Sequence, residues 1–401
     1  MVTLNPVDAP DAQVHWIVND VQHTALWSPG NTGAPPKRIV TADDSLSADA
    51  AYRLISQGTS LLWRGDFQNA KQLLQAVARR IAKKTATAKK AHKHAVSASD
   101  TATELPGELF NRYRLQQSQR AAMLNRLLIE LDTNYVIALR RAPDVQAACL
   151  TALGPMDQPI LLSLRALQGL VGAHEWRKKG VTIQGLPAPL YVHYGVFSPN
   201  RGEYLDLLAA APLPSNELAF DIGTGSGVLA ALLALRGVRK VIATDIDDRA
   251  LSCAAENIAQ LGLASSITLE KTSLFPEGKS PLIVCNPPWL PARPTTTLEG
   301  AIYDPDSQML LGFLNGVAAH LQPTGEAWLI MSDLAEHLGL RSKNFLTDAF
   351  ATAGLQVLGK LDAWPRHPKV WDENDPLHAA RRAEITSLWR LGLATAPTDH
   401  C

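Results

Sequence analysis

The tetrapeptide Asn286-Pro287-Pro288-Trp289 carries side chains whose types and order suit one kind of chemistry. It follows the apolar run 281–285, which predicts a buried strand. Proline cannot extend a central ladder, so the backbone must leave the sheet at the carboxyl end of that strand. Ligands bind at this edge in open α/β sheets. An exposed amide, rigid carbonyl groups and a Trp face there predict a site that grips a flat, amino-bearing group.

A glycine-rich turn lies upstream, in the sequence AFDIGTGSGVL at 219–229. The pattern predicts a strand, a turn and the start of a helix. Gly223 and Gly225 allow the backbone to approach a ligand closely, and Gly227 eases packing of the helix on the strand. Asp221 ends the strand just before the glycines. A phosphate there would be repelled by the carboxylate, whereas the cationic methionine end of S-adenosylmethionine would be attracted.

A second acidic residue, Asp245, ends the next expected strand at 241–245. It lies about twenty residues beyond the glycine turn, a spacing that suits the paired hydroxyls of a ribose. A helix cap is the alternative role, but Asp247 and Asp248 stand closer to the start of the following helix. The two acids together therefore favour a nucleoside cofactor that carries a positive charge.

Composition limits the class of protein in which these residues act. The chain has 401 residues, of which 46% are hydrophobic and 19% charged, as expected for a globular protein of two domains. With 38 basic and 38 acidic residues, no global field attracts nucleic acid or acidic lipid. The cysteines show no metal-binding spacing and fit reduced thiols: Cys149, Cys253, Cys285 and Cys401. This spacing leads us to expect no metal site. We expect a cytoplasmic protein, since the chain shows neither a signal peptide nor a membrane-spanning run.

The elements that must position the motifs alternate along the second half of the chain. Strands are expected at 218–222, 240–245, 266–270, 281–285 and 325–331, most of them followed by a helix. This alternation predicts an α/β fold with a doubly wound, mostly parallel sheet. Two further strand-like runs, 355–358 and 385–389, are expected to form an antiparallel terminal pair, which makes seven strands.

The first half of the chain predicts a different organisation. Residues 1–36 are rich in Pro, Gly and Asn and are expected to form an irregular arm, while 37–175 are expected to form a mainly helical, substrate-recognition domain. Helices are expected over 44–64, 67–81, 108–126, 144–153 and 159–171. A small β ribbon is expected from 127–131 and 135–139, and the sheet domain occupies 176–401. The segment 83–107 is basic at its start; it is expected to be a solvated linker, with a phosphate-contacting patch as the alternative.

The motifs DIGTGSG, ATDID and NPPW, in this order, resemble those of the class I S-adenosylmethionine-dependent methyltransferases. More narrowly, they are similar to the branch that methylates planar nitrogens. That branch includes protein N5-glutamine methyltransferases that act on release factors, and N6-adenine methyltransferases of DNA and RNA. The resemblance covers roughly residues 195–390. It implies a Rossmann-like methyltransferase fold with S-adenosyl-L-methionine as cofactor.

The resemblance also implies roles by position. The cofactor contacts it implies are Asp221, Gly223, Thr224, Gly225 and Gly227 for the methionine end, Asp245 for the ribose, and Ser273 and Leu274 for the adenine, with Asn286 beside them. The family often has an acid where Ser273 stands. Segment 195–199 resembles the part that closes over the cofactor, but the Asn-Arg-Gly-Glu-Tyr that follows at 200–204 departs from the Arg-Pro and Thr-Glu of release-factor enzymes.

The nitrogen to be methylated, in an amide or an exocyclic amine of the substrate, is a poor nucleophile because its lone pair is delocalised. The Asn286 side-chain oxygen and the Pro287 carbonyl can accept its two N–H bonds, Pro288 stiffens the turn, and Trp289 can stack on the planar group. The leading hypothesis is methylation of protein glutamine at N5, with a translation factor among the candidate partners. The alternatives are an N6-adenine or N2-guanine methyltransferase of RNA or DNA, a small-molecule methyltransferase, and a binding module without activity. Substrate selection is expected from loops 290–306 and 364–382; no membrane partner is expected, and the oligomeric state is open.

Overall fold

The computed structural model describes residues 12–96, 105–199, 202–294, 298–366 and 368–394. The chain divides into two compact units, of which the first comprises 1–104 and 112–175 and the second comprises 105–111 and 176–401. In the described ranges, every helix is too short or too polar to cross a bilayer.

The first unit is built on a six-stranded sheet with the order β1-β2-β6-β5-β4-β3. In chain order the elements are β1 (Gln13–Val18), β2 (Val21–Trp27), β3 (Ile39–Ala42), α1 (Ala48–Ser56), β4 (Ser60–Trp63), α2 (Phe67–Val96), α3 (Pro106–Leu124), β5 (Leu127–Leu131), α4 (Gln146–Leu153), β6 (Ile160–Ser163) and α5 (Leu164–Lys179). The start of α3 and the end of α5 belong to the second unit.

The prediction of an irregular arm over 1–36 is wrong for the part that the structure describes. β1 and β2 form an antiparallel hairpin, while residues 1–11 lie outside the described ranges. Val14 and Trp16 alternate with exposed neighbours and pack into the core of the sheet. The turn Asn19-Asp20 has φ values of 49° and 62°, which match a hairpin turn whose twist fits the flanking strands. Alternation with a period of two was therefore the informative signal, and the turn-rich composition was misleading.

Helices occupy most of 37–175, as predicted, but the prediction that a small ribbon is the only β structure there is wrong, because four strands of the six-stranded sheet lie in this range. The expected helix 44–64 is α1 followed by β4, and the expected helix 159–171 is β6 followed by α5. Each of these strands is a run of four buried residues. A short apolar run fits a buried strand or a buried helical turn equally well until its pairing partners are known.

The second half of the expected ribbon, 135–139, forms no strand. The Asp132 carboxylate accepts the N–H of Asn134 at 2.9 Å and that of Val136 at 2.8 Å, and this closes a turn. Tyr135 adopts a left-handed φ of 62°. β5 pairs instead with β4 in parallel and with β6 in antiparallel orientation.

The basic segment expected as a linker begins as helix. α2 continues through 83–96, and the Lys84 ammonium lies 4.5 Å from the centre of the Tyr52 ring. Residues 97–104 lie outside the described ranges. The phosphate-contacting role of this segment stays a hypothesis.

The second unit is a seven-stranded sheet covered by helices, with the order β12-β13-β11-β10-β7-β8-β9. Its elements are α6 (Glu203–Ala210), β7 (Leu218–Ile222), α7 (Val228–Leu235), β8 (Lys240–Asp245), α8 (Asp248–Gln260), β9 (Ile267–Lys271), β10 (Ser280–Cys285), α9 (Gln308–His320), β11 (Leu321–Ser332), α10 (Leu334–His337), α11 (Phe345–Thr352), β12 (Leu355–Ala363), α12 (His378–Ala383) and β13 (Thr386–Leu393). β13 is antiparallel to β11 and β12, and the other neighbours pair in parallel. The prediction of a doubly wound, mostly parallel seven-stranded sheet with an antiparallel terminal pair is confirmed.

Both faces of this sheet are buried, as the continuous apolar strands require. In β10, Leu282 and Val284 join the core on one face, and Ile283 and Cys285 join the core on the other. The chain builds outwards from β7 to β8 and β9, then returns to place β10 on the opposite side of β7. The strand order therefore reverses between β7 and β10, and the crevice at their carboxyl ends is where such sheets bind ligands.

Candidate active site

The register of the sheet brings the three sequence motifs to the same edge. Ile222, the last residue of β7, is level with Cys285 of β10 and with Thr244 of β8. The residues that follow, Gly223 and Asn286, therefore leave the sheet side by side, next to the end of β8. The glycine turn and the tetrapeptide thus flank the crevice where the strand order reverses.

The glycine turn has the geometry that its sequence predicts. Gly223, Gly225 and Gly227 have φ values of 72°, 56° and 82°, a region that favours glycine. The N–H groups of Gly223 and Thr224 donate to the Thr244 carbonyl at 2.9 and 2.8 Å. These two bonds tie the turn to the end of β8.

Two of the glycines also allow close packing. A Cβ at Gly223 would lie 2.6 Å from the terminal methyl of Met309, and a Cβ at Gly227 would lie 3.2 Å from the Cβ of Ala254. Ala254 belongs to α8, so Gly227 permits an approach between helices and not the helix-on-strand contact that was expected.

Asp221 is buried beneath the turn, and only one of its carboxylate oxygens accepts hydrogen bonds from the described residues. Its Oδ2 accepts the Thr224 hydroxyl at 2.7 Å and the Ala230 N–H, in the first turn of α7, at 3.1 Å. Its Oδ1 is buried without a partner among the described residues. Burial raises the pKa of this carboxyl to about 6. An ammonium group at Oδ1 would satisfy it and stabilise the ionised form, so the residue fits the methionine end of the expected cofactor.

Asp245 supports the turn as well as facing the edge of the sheet. Its Oδ2 accepts the Gly225 N–H at 3.0 Å and its Oδ1 accepts the Asp247 N–H at 3.0 Å. Burial raises the pKa of the Asp245 carboxyl. Asp247, as expected, caps α8, since its side chain accepts the Arg249 N–H at 2.9 Å. Carboxylate oxygens have further lone pairs for ribose hydroxyls, and this role stays a prediction.

The residues expected at the adenine follow β9. Ser273 is exposed, and Leu274 has a left-handed φ of 72°, held by a 2.6 Å bond from the Thr244 hydroxyl to its carbonyl. The Leu274 side chain packs on α9, where a Cβ at Gly312 would lie 3.0 Å from it. Leu274 is thus at least a packing residue, and contact with adenine stays a prediction for Ser273 and Leu274.

The neighbouring Phe275 reinforces this contact with α9. A Cβ at Gly316 would lie 2.5 Å from its ring, which also stacks on Phe313 at 5.7 Å and on His320 at 4.6 Å between centroids. One helix therefore touches the glycine turn through Met309 near its start and the loop after β9 through its middle.

The tetrapeptide has an internal hydrogen bond that its sequence did not reveal. The Trp289 indole N–H donates to the Asn286 Oδ1 at 2.9 Å. An indole nitrogen only donates, so its partner must be the oxygen of the amide and not the nitrogen. This bond fixes the orientation of the Asn286 amide and leaves the second lone pair of Oδ1 for another donor. Pro287 is buried, and Asn286, Pro288 and Trp289 are half-buried.

Three residues that sequence reasoning missed complete the edge. The Asp304 carboxylate accepts the N–H groups of Met309 and Leu310, at 2.9 and 3.0 Å, and so caps α9. Arg341 donates to the Trp289 carbonyl at 3.0 Å. The Asp-Pro pair before an apolar helix was a readable capping signal, whereas no local pattern marks Met309 or Arg341.

The two loops expected to select substrate lie at the same edge. The first is closed at its base, since Leu290 N donates to Ile302 O at 3.2 Å and Asp304 N donates to Leu290 O at 2.8 Å. Residues 295–297 of that loop, His367 of the second loop, and the departing positions 200–201 lie outside the described ranges.

Two of the three arginines in the second loop are paired with acids. Arg366 contacts Asp206 at 3.0 Å, and Arg381 contacts Asp375 at 2.8 Å. The surface formed by these residues therefore has mixed charge. Across the described ranges, His, Cys, Asp and Glu side chains form no group of three or more that is suited to a metal ion. The cysteines described are buried free thiols, and Cys401 lies outside those ranges.

Comparison with known proteins gives a family match that spans the glycine turn and most of the tetrapeptide. The family model "Ribosomal protein L11 methyltransferase (PrmA)" matches residues 205–288. The release factor glutamine methyltransferase of Cereibacter sphaeroides is 33% identical over 181 residues, which cover 41% of this chain and 63% of that protein. The ribosomal protein uL3 glutamine methyltransferase of Bordetella pertussis is 45% identical over 78 residues, or 18% of this chain and 26% of that protein.

An RNA-modifying enzyme is also similar. The U6 small nuclear RNA (adenine-(43)-N(6))-methyltransferase of Caenorhabditis elegans is 35% identical over 97 residues, which cover 21% of this chain and 20% of that protein. The chain thus spans less than two thirds of the length of these relatives. Together with the strand order and the glycine turn, the matches identify the second unit as a class I S-adenosylmethionine-dependent methyltransferase domain.

Proposed function

We propose that this protein is an N-methyltransferase that methylates the side-chain amide nitrogen of glutamine in a protein substrate. The observation that carries the proposal is the Asn286 amide, which lies at the reversal of strand order beside Gly223 and has its oxygen oriented by Trp289. An oriented amide oxygen at this edge is an acceptor for a planar N–H donor.

The residues present fit the cofactor of this class. Asp221 has a buried Oδ1 without a partner among the described residues, which is suited to the ammonium group of the methionine end. A Cβ at Gly225, in the turn above the strand, would meet open space. Asp245 would bind the ribose, and Ser273 with Leu274 would contact the adenine. When bound, S-adenosylmethionine supplies an electrophilic methyl group.

The protein's own contribution is to hold the acceptor nitrogen. The Asn286 Oδ1 and the Pro287 carbonyl would each accept one N–H of the substrate amide. Both acceptors stabilise the positive charge that develops when the nitrogen lone pair is used for bonding, and each well-placed group contributes about 3 kcal/mol. The nitrogen becomes acidic as it gains the methyl group, so it releases one proton to water without a dedicated base. Trp289 covers one face of the planar group and limits its rotation.

The mixed charge of the second loop supports a protein substrate. A nucleic-acid substrate requires basic groups that are free to neutralise phosphates. Here Arg366 and Arg381 are already paired with Asp206 and Asp375. The similarity to two glutamine methyltransferases that act on proteins points in the same direction.

Methylation of an adenine amino group in RNA is the second candidate. It is favoured by the similarity to the U6 RNA enzyme and by the exposed Trp371, over which the Arg382 guanidinium lies at 5.7 Å. Exposed aromatic and Arg planes are surfaces on which bases stack.

One experiment separates these functions. Purified protein and tritiated S-adenosylmethionine are added to a cell extract, which is then treated with protease or with nuclease. We expect acid-insoluble label that protease removes and nuclease leaves, and N5-methylglutamine after complete enzymatic digestion. Label that nuclease removes would replace the first proposal with the second. No label above the Asn286→Ala control, in extracts from several growth conditions, would refute both.

A further inference from the structure

Arg341 links the tetrapeptide to two other parts of the edge. Its Nη1 donates to the Trp289 carbonyl at 3.0 Å, and its Nη2 donates to the Ser307 hydroxyl at 2.9 Å. The same guanidinium lies 3.6 Å from the Met331 sulfur of β11 and 5.3 Å from the centre of the Phe345 ring. One side chain thus connects the end of the tetrapeptide, the end of the loop that follows it, and the neighbouring strand.

The tetrapeptide needs support at this end. Its first residue continues β10, whose Cys285 pairs with both β7 and β11. Two consecutive prolines carry the chain away from the sheet, and their nitrogens cannot donate to any acceptor. Support beyond the prolines comes from the Leu290 backbone, paired with Ile302 and Asp304, and from Arg341 on the Trp289 carbonyl.

The guanidinium is suited to this role by its shape and its surroundings. It is half-buried, and burial lowers the pKa of Arg341 while the charges of Asp304 and Glu336 oppose that shift. A planar fork can hold two acceptors in fixed directions, which a lysine ammonium cannot do. Ser307, its second acceptor, is buried at a left-handed φ of 58°, just before α9.

We propose that Arg341 is a positioning residue for methyl transfer: it fixes the Trp289 carbonyl, and through the Trp289 indole it fixes the Asn286 oxygen that accepts the substrate N–H. This inference rests on the proposed function for its catalytic consequence, but its structural part does not. Arg341 acts at the acceptor side of the edge, since its described bonds reach none of the residues of the glycine turn. Its loss should therefore change turnover and leave cofactor affinity unchanged.

Arg236 provides a matched control in the same unit. It is also half-buried with a pKa lowered by burial, and it also donates to backbone carbonyls, those of Leu208 and Ala211. Its guanidinium lies 5.8 Å from the centre of the Trp328 ring. Arg236→Ala thus removes the same kind of interaction without touching the tetrapeptide.

The first measurement is the orientation of Trp289 itself. The protein is labelled with ¹⁵N at the Trp indoles, and the Trp289 resonance is assigned by its loss in Trp289→Phe. We expect Arg341→Ala to shift or broaden this resonance, Arg236→Ala to leave it in place, and Arg341→Lys to give an intermediate effect. An unmoved Trp289 resonance in Arg341→Ala would overturn the inference whether or not the protein methylates anything.

The second measurement is steady-state methyl transfer. We expect Arg341→Ala to lower kcat up to about fivefold, the loss expected for the indole hydrogen bond through which it acts, with the S-adenosylmethionine Kd, from calorimetry, within twofold of the parent protein. Millimolar guanidinium should restore part of the lost kcat, and methylammonium should not. Equal loss of kcat, cofactor affinity and Tm, as for any structural arginine, would overturn the positioning role. If the parent protein transfers no methyl group, the proposed function fails, and the resonance test still decides the contact.

Discussion

The hydrogen bond between Trp289 and Asn286 makes a prediction that separates two roles of the indole. Trp289→Phe keeps an aromatic ring for the planar substrate and removes the indole N–H that donates to Asn286 Oδ1 at 2.9 Å, together with part of the ring area, a loss that the control below shares. A hydrogen bond of this kind contributes about 1 kcal/mol net, and the same amount in a barrier corresponds to about a fivefold change in rate. We therefore expect kcat to fall about fivefold, with the S-adenosylmethionine Kd unchanged.

Trp328→Phe is the control for this substitution. Trp328 also donates its indole N–H to a side-chain oxygen at 2.9 Å, that of Glu326, but in the interior of the sheet. It should lower Tm and leave kcat of the folded protein as it was. The comparison therefore isolates the consequence of losing an indole hydrogen bond at the acceptor site from that of losing one elsewhere.

A double-mutant cycle tests whether the indole acts through the amide. Asn286→Ala alone should lower kcat about a hundredfold, as expected for one lost acceptor worth about 3 kcal/mol. Adding Trp289→Phe to it should cost no further rate, because the amide that the indole orients is already gone. The reasoning is refuted if Trp289→Phe keeps kcat within twofold of the parent, or if its fivefold loss persists in full without Asn286.

The other predictions concern the cofactor cradle and the helix beside it. Asn286→Ala should bind S-adenosylmethionine with the same Kd as the parent, measured by calorimetry, because the substitution removes a hydrogen-bond acceptor for the substrate nitrogen. A tenfold weaker Kd would contradict this. The pKa of Asp221 is raised from 3.8 to about 6 in the fold, so the folded protein binds the extra proton between these values, and stability to urea should fall as pH rises through that window. A cationic ligand requires the ionised form, so affinity should be about tenfold weaker at pH 5 than at pH 7; a flat profile would argue against contact with Asp221. Gly316→Ala places a Cβ 2.5 Å from the Phe275 ring and should lower Tm by overpacking that costs about 1–3 kcal/mol. Gly172→Ala, in open space on α5, should not lower it.

Most strands and helices of the second unit could be predicted from the sequence, because the patterns that indicate them are local. A strand with Asp221 near its end, followed by three glycines and an apolar helix, can be recognised without knowing which strands pair with it. The same is true of a strand that is followed closely by two prolines. The alternation of strands and helices then predicts a mostly parallel sheet, whereas the order of its strands is known only from the structure. The contacts that hold the tetrapeptide in place at the carboxyl edge of the sheet join residues that are far apart in sequence. Arg341 lies 52 residues beyond Trp289, and nothing in the residues around either one indicates that they meet.

The first unit was misread because its strands are short and unlike one another. β4 and β6 have four residues each and are buried at every position, so they show no period of two. Because the apolar positions of each strand continue into the neighbouring helix, the pattern predicted one long helix in place of a strand and a shorter helix. β1 does alternate, but it lies among Pro, Gly and Asn residues that are typical of loops. Whether such a segment forms a strand depends on its pairing with a distant segment, as between β2 and β6. The residues within the segment do not show that pairing.

Helix α9 sets a length as well as a packing surface. Met309 meets the glycine turn, and Gly316 meets the loop after β9, so seven residues of helix separate the contacts at the two sides of the cradle. At 1.5 Å per residue this is about 10 Å. A helix neither stretches nor shortens, and one inserted residue would turn every later contact by about 100°. The span between the glycine turn and the loop after β9, where we propose that the methionine and adenine ends bind, is therefore fixed by residue count, and under that proposal a cofactor of another length would be accepted only by rebuilding this helix.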